Sequence, residues 1–62
     1  MKIIGVDNFN RDTVSDVLVA ENVCDVYVAE IIAFLNARFS GENAAYYFKA
    51  IDDDRPLYVW KP

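Results

Sequence analysis

The side chains best placed to do chemistry fall in short acidic or amide-rich runs and at one thiol. Asn8, Asn10, Asp12 and Asp16 set oxygen donors at near-alternate positions, the spacing by which a calcium loop surrounds its ion. The match to an EF-hand fails at its demanding positions, because Thr13 stands where the loop needs glycine and Val19 where it needs a bidentate glutamate. Turn chemistry is the expected role of this run. Asp52, Asp53 and Asp54 crowd carboxylates that disfavour joint ionisation and could hold a divalent ion weakly. A solvated hairpin loop with Arg55 offsetting the repulsion is the simpler expectation. Cys24 as a nucleophile would need a neighbouring base and an electropositive surround, and the chain has no histidine. A buried packing thiol is expected there. With one cysteine there is also no zinc-ligand set and no intrachain disulfide. Sixty-two residues leave little room for a cleft holding a glycosidase-like carboxylate pair. The expectation is a non-enzymatic chain without metal or cofactor.

Nucleic acid is disfavoured on charge. Six Lys and Arg against ten Asp and Glu leave a net charge of -4. The basic residues Lys2, Arg11, Arg38, Lys49, Arg55 and Lys61 are scattered and form no concentrated footprint for counterion release. Tyr46, Tyr47 and Phe48 could stack single-stranded bases, but AAYYFKAI lacks the basic and glycine residues of an RNP1 signature. The carboxylates are too sparse for an acidic DNA mimic.

The elements that must position these residues can be read from pattern. KIIGV is short and β-branched, and the turn-forming DNFNRD follows it, so a strand then a loop is expected. In TVSDVLVAEN, alternation puts Val17 and Val19 on one face and Leu18 and Ala20 on the other, an apolar strand that would be central or covered by a dimer partner. Cys24 to Phe39 reads as a helix. Its start is either Asn22, with Asp25 imitating a capping box, or Cys24, with Val23 and Val28 as a hydrophobic staple. Its end is set by Arg38 in the last turn, Ser40 as cap and a left-handed Gly41. After the linker GENA, AAYYFKAI reads as a third strand, Asp52 to Pro56 as a turn, and LYVW as a fourth strand. The expected fold is α+β, a single domain over residues 1–62, in ββαββ order, with a small antiparallel or mixed four-stranded sheet and one helix packed on one face.

At 100° per residue Cys24, Val28, Ile31, Ile32, Leu35 and Phe39 share a stripe suited to the sheet. Tyr27 and Phe34 lie on its shoulder, and Val26, Ala29, Ala33 and Ala37 lie opposite, interrupted by Glu30 and Asn36. Either the two rings curl over the sheet edge or they meet a partner. A domain near 60 residues buries only about 60% of the surface its unfolded chain exposes, and with disulfide and metal absent oligomerisation is the remaining support. One helix also covers one face of a sheet, while both faces of Tyr46–Ile51 and Leu57–Trp60 carry large apolar groups. These considerations predict an isologous homodimer, with Tyr27, Ile31, Phe34, Tyr46, Tyr47, Phe48, Tyr58 and Trp60 as interface candidates. A regulator or inhibitor capping a larger protein partner is the alternative.

DNFNRDTVSDVLVAEN, the helix ending IIAFLN, and YYFKAIDDDRPLYVW together resemble small uncharacterised proteins of bacteria and their phages, in which a hairpin leads into one helix and then a second hairpin. The likeness spans most of the chain as a pattern of elements, and it implies no activity. Such proteins carry Glu and Lys on the outer helix face where this chain has Tyr27, Ala29, Ala33 and Phe34. That departure points to an added interface. A lone cysteine suits a reducing compartment, MKIIGV lacks a signal peptide's apolar core, and no run approaches the roughly 20 apolar residues of a membrane span. A cytoplasmic protein is expected.

Overall fold

In the computed structural model residues 1–10, 12–41 and 44–61 are described. Arg11 of the first loop, Glu42 and Asn43 of the GENA linker, and Pro62 lie outside the described residues. The chain is α+β. Strands β1 (Lys2–Asp7), β2 (Val17–Ala20) and β3 (Tyr46–Ile51) form an antiparallel sheet in the order β2-β1-β3, and helix α1 (Asp25–Phe39) connects β2 to β3.

β1 is the central strand, and it carries apolar residues on both of its faces. Ile3, Ile4 and Val6 are almost completely buried. Residues directly opposite across an antiparallel pair share a face. The pairs Lys2↔Ile51, Ile4↔Lys49 and Val6↔Tyr47 therefore define one face, where Ile4, Val6 and Ile51 cluster with Tyr47 and Leu57. Ile3, Gly5 and Asp7 define the other, opposite Ala50, Phe48 and Tyr46. The Phe48 and Tyr46 rings lie over Gly5, where a Cβ would sit 3.5 Å from Phe48 and 3.6 Å from Tyr46, ordinary contact distances.

β2 is an edge strand, so of the two expectations for it, central or covered by a dimer partner, the first does not hold. Ile3 faces Ala20 and Ile4 faces Leu18, so Val19 is an extra residue with no opposite number on β1. Such a bulge breaks the alternation of side chains and twists an edge away from further pairing. Val17, Leu18 and Val19 are all exposed as a result.

Among the described residues the fourth strand expected at LYVW does not form. Residues 57–60 do return across the sheet to the start of β2, and Asp16 N–H donates to the Tyr58 carbonyl at 2.9 Å. The other rungs are made by side chains: Tyr58 N–H donates to Asp16 Oδ2 at 3.1 Å and Trp60 N–H to Ser15 Oγ at 2.9 Å. With side-chain oxygens in place of main-chain carbonyls no ladder propagates, and the sheet has three strands.

Helix α1 begins after Cys24, so the later of the two possible starts is the one used, and no side chain caps it. Asn22, the other candidate, instead takes a left-handed conformation at φ 58°, which Asn tolerates better than most residues. At the far end Ser40 is the cap, its N–H donating to the Asn36 carbonyl at 3.0 Å, and Gly41 does not adopt the expected left-handed conformation.

The helix also meets the sheet differently from expectation. It packs on β3, and the Cα trace measures 36 × 29 × 10 Å. A helix stacked over a sheet at about 10 Å, with a Cα radius of about 2.3 Å, would make a thicker body than this. α1 therefore flanks the outer edge of β3 and the molecule is a plate. The buried side of α1 is narrowed accordingly. Val28 is buried and Ile32, Leu35 and Asn36 are half-buried, while Cys24, Ile31 and Phe39 of the expected core stripe are exposed. Asn36, expected on the outer side, faces the strand.

Candidate functional site

Because α1 packs by a strip along β3, most of its circumference is left to solvent. The residues there are apolar: Val26 is 75% exposed, Phe34 63% and Tyr27 60%, with Ile31 beside them. Tyr27 and Phe34 are seven residues apart, two helical turns, and so lie nearly in line along the axis. Ala29, Ala33 and Ala37 extend the surface without adding bulk, and Glu30 and Arg38 are its charged members. Phe39 lies past Arg38, whose guanidinium stands 5.7 Å from the centre of its ring. This face offers aromatic anchors to a partner.

The expected interface residues separate into distinct environments. Tyr27, Ile31 and Phe34 are exposed on the helix, and Tyr58 and Trp60 are exposed on the tail. Tyr46, Tyr47 and Phe48 are half-buried. Tyr47 packs against the Ile4–Val6–Ile51 cluster, and the Phe48 main chain is engaged by Asn36. Val26, Phe9 and Val59 are exposed apolar groups that the sequence did not single out. For Val26 the signal was available, since it falls on the side of the helix away from the core stripe.

The residues considered for chemistry do not converge. Asp7 Oδ1 accepts from the N–H groups of Phe9 and Asn10 at 2.8 and 2.6 Å, and the Asn10 carbonyl accepts from Thr13 N–H at 2.9 Å. Asn8 Nδ2 donates to the Ala44 carbonyl and Asp16 Oδ2 accepts from Tyr58 N–H, so the side chains of Asn8 and Asp16 serve as loop ties. Asp52 to Arg55 form a turn closed by Arg55 N–H donating to the Asp52 carbonyl at 3.1 Å. Within it Asp53 accepts a 3.0 Å hydrogen bond from the Met1 ammonium, and this bond holds its carboxyl below the usual carboxylate range, with Asn22 and Lys2 acting in the same direction. Asp25 lies 3.8 Å from the same ammonium. Cys24 is exposed, which corrects the buried thiol expected of it, because α1 packs on β3 by a narrow strip that does not include its N-cap. Among the described residues no three His, Cys, Asp or Glu side chains are grouped to hold a metal ion, and no helix is long and apolar enough to cross a membrane. No protein-family model, curated protein or solved structure matches this chain.

Proposed function

We propose that the chain is a small cytoplasmic, non-enzymatic protein–protein interaction module that self-associates as a homodimer through the outer face of α1. The observation that carries this reading is the exposure of Tyr27 and Phe34 together on a helix whose outward side also carries Val26, Ile31 and three alanines, with Glu30 and Arg38 as its charged members. Lone exposed hydrophobics need no explanation, but a contiguous apolar patch on a small domain marks an interaction site. A standard interface takes about 800 Å² from each partner, and a covered Tyr or Phe supplies roughly 150–250 Å² of it. An isologous contact centred near Ile31 sets Tyr27 of each copy against Phe34 of the other. A single unpaired thiol is in keeping with a reducing compartment.

The surface is tested by nuclear magnetic resonance on a mixture of isotopically labelled and unlabelled chains. The expected result is intermolecular contacts from the Tyr27 and Phe34 rings. A mixture that yields intermolecular contacts elsewhere but none at these rings removes the helix face from the reading. A chain that remains monomeric directs the face to a larger protein partner, the role of a regulator or inhibitor.

A further inference from the structure

Glu30 stands among apolar neighbours on the outer side of α1. On a helix surface the side chains three and four residues away are the adjacent ones, and for Glu30 these are Val26, Tyr27, Ala33 and Phe34. Glu30 and all four neighbours are exposed. Arg38, the helix's one cation, lies roughly 12 Å along the axis from Glu30, beyond the roughly 8 Å over which charges act at physiological salt. Its guanidinium stands over the Phe39 ring. The Met1 ammonium sits at the start of the helix, 3.8 Å from Asp25.

The sheet supplies no counter-charge either. α1 packs on β3, whose titratable side chains are Tyr46, Tyr47 and Lys49. Val28 and Ile32, on the packed side of the helix, lie roughly 160° around it from Glu30, so β3 is behind the carboxylate. Among the described residues no cation is within ion-pairing distance of Glu30.

Symmetry then decides what the carboxylate meets. In an isologous contact a residue near the twofold axis faces its own copy. The midpoint of Tyr27 and Phe34 falls between Glu30 and Ile31. The contact that sets Tyr27 against Phe34 of the second copy therefore puts the two Glu30 residues on the same side, within roughly 2 Å of each other along the helix axis. Two carboxylates brought together and covered by apolar groups disfavour joint ionisation, through mutual repulsion and lost hydration alike.

We infer that self-association through α1 is acid-responsive, the two Glu30 carboxylates of the dimer sharing one proton. The inference rests on the helix-face homodimer proposed above and gives that contact a regulator. The dimer holds a proton that the separate chains release, so association strengthens as pH falls. The proton belongs to the pair and not to either residue. At neutral pH the same two charges hold the contact weaker than its aromatic anchors alone would make it.

The test is sedimentation equilibrium of the parent, Glu30→Gln and Phe34→Glu, each at two pH values. Both values stand above 3.8, so the tie between Asp53 and Met1 is kept throughout. The parent's association constant is expected to be about threefold or more higher at about pH 5 than at about pH 7.5. The chain's net charge of -4 also shrinks over this interval and favours contact of any kind, so Glu30→Gln carries the decision. It is expected to associate about tenfold more tightly than the parent at about pH 7.5 and to lose most of the parent's pH dependence. A parent dimer that Phe34→Glu weakens and Glu30→Gln leaves unchanged at both pH values would overturn the inference while the helix-face reading stands. A dimer indifferent to Phe34→Glu, or no dimer at either pH, would overturn both.

Discussion

Asn36 holds Phe48 by both of its main-chain groups: Oδ1 accepts the Phe48 N–H at 2.8 Å and Nδ2 donates to the Phe48 carbonyl at 3.0 Å. These groups point away from β1, so the amide stands where a fourth strand would otherwise pair. One side chain thus seats the helix and closes part of an open sheet edge. Asn36→Ala leaves a half-buried N–H and carbonyl without partners, and is expected to lower stability by about 1–3 kcal/mol in urea denaturation. Asn36→Asp keeps the acceptor but sets a carboxylate against the Phe48 carbonyl, and is expected to cost at least as much. A variant as stable as the parent would contradict this account of how α1 is attached.

The same attachment explains what sequence pattern could and could not convey. β1, α1 and β3 were legible because each has a period or composition of its own: KIIGV, the long apolar helix and YYFKAI. The fourth strand was not, since LYVW has the composition of a strand and its ladder fails only because Asp16 and Ser15 side chains answer it. The helix stripe was misjudged at Cys24, Ile31, Phe39 and Asn36 for one reason. An apolar periodicity presumes that the helix lies across a face, and a polar residue that grips a strand edge reads as an outward one. Among the interface candidates, Tyr27 and Phe34 were legible as a surplus of aromatic surface, whereas the half-buried Tyr46, Tyr47 and Phe48 could be separated from them only once strand order was known.

Phe34→Glu places a charge on an exposed position of α1. The monomer's stability is expected to change by no more than about 0.5 kcal/mol, with unaltered far-ultraviolet circular dichroism. Self-association is expected to weaken at least about tenfold, the usual consequence of losing an aromatic anchor at the centre of an interface. Global unfolding would instead place the ring in the intrachain core.

Gly5 is buried in the central strand, yet its φ is not in the left-handed region and the space above it accepts a methyl at ordinary contact distance. Gly5→Ala is therefore expected to be tolerated, with a gain of about 0.4–1 kcal/mol from the reduced freedom of the unfolded chain. A thermal melt reads the sign directly. Marked destabilisation would mean that the Phe48 and Tyr46 rings cannot yield at all.

The tie between Asp53 and the Met1 ammonium makes a prediction about acid. A carboxyl with a lowered folded-state pKa contributes stability that is fully present above its ordinary value of 3.8 and is lost as pH falls through the depressed folded value. Asp53→Asn removes that contribution, so the melting temperatures of parent and variant are expected to differ at neutral pH and to converge in strong acid. An unchanged gap across the titration would mean that the ion pair is not what the substitution removes.

The central claim is that this plate cannot hide its apolar surface by folding alone. Sedimentation equilibrium of the unmodified chain at micromolar concentration tests it most directly. A species of twice the single-chain mass is the predicted result, and a monomer that persists as concentration is raised would contradict it.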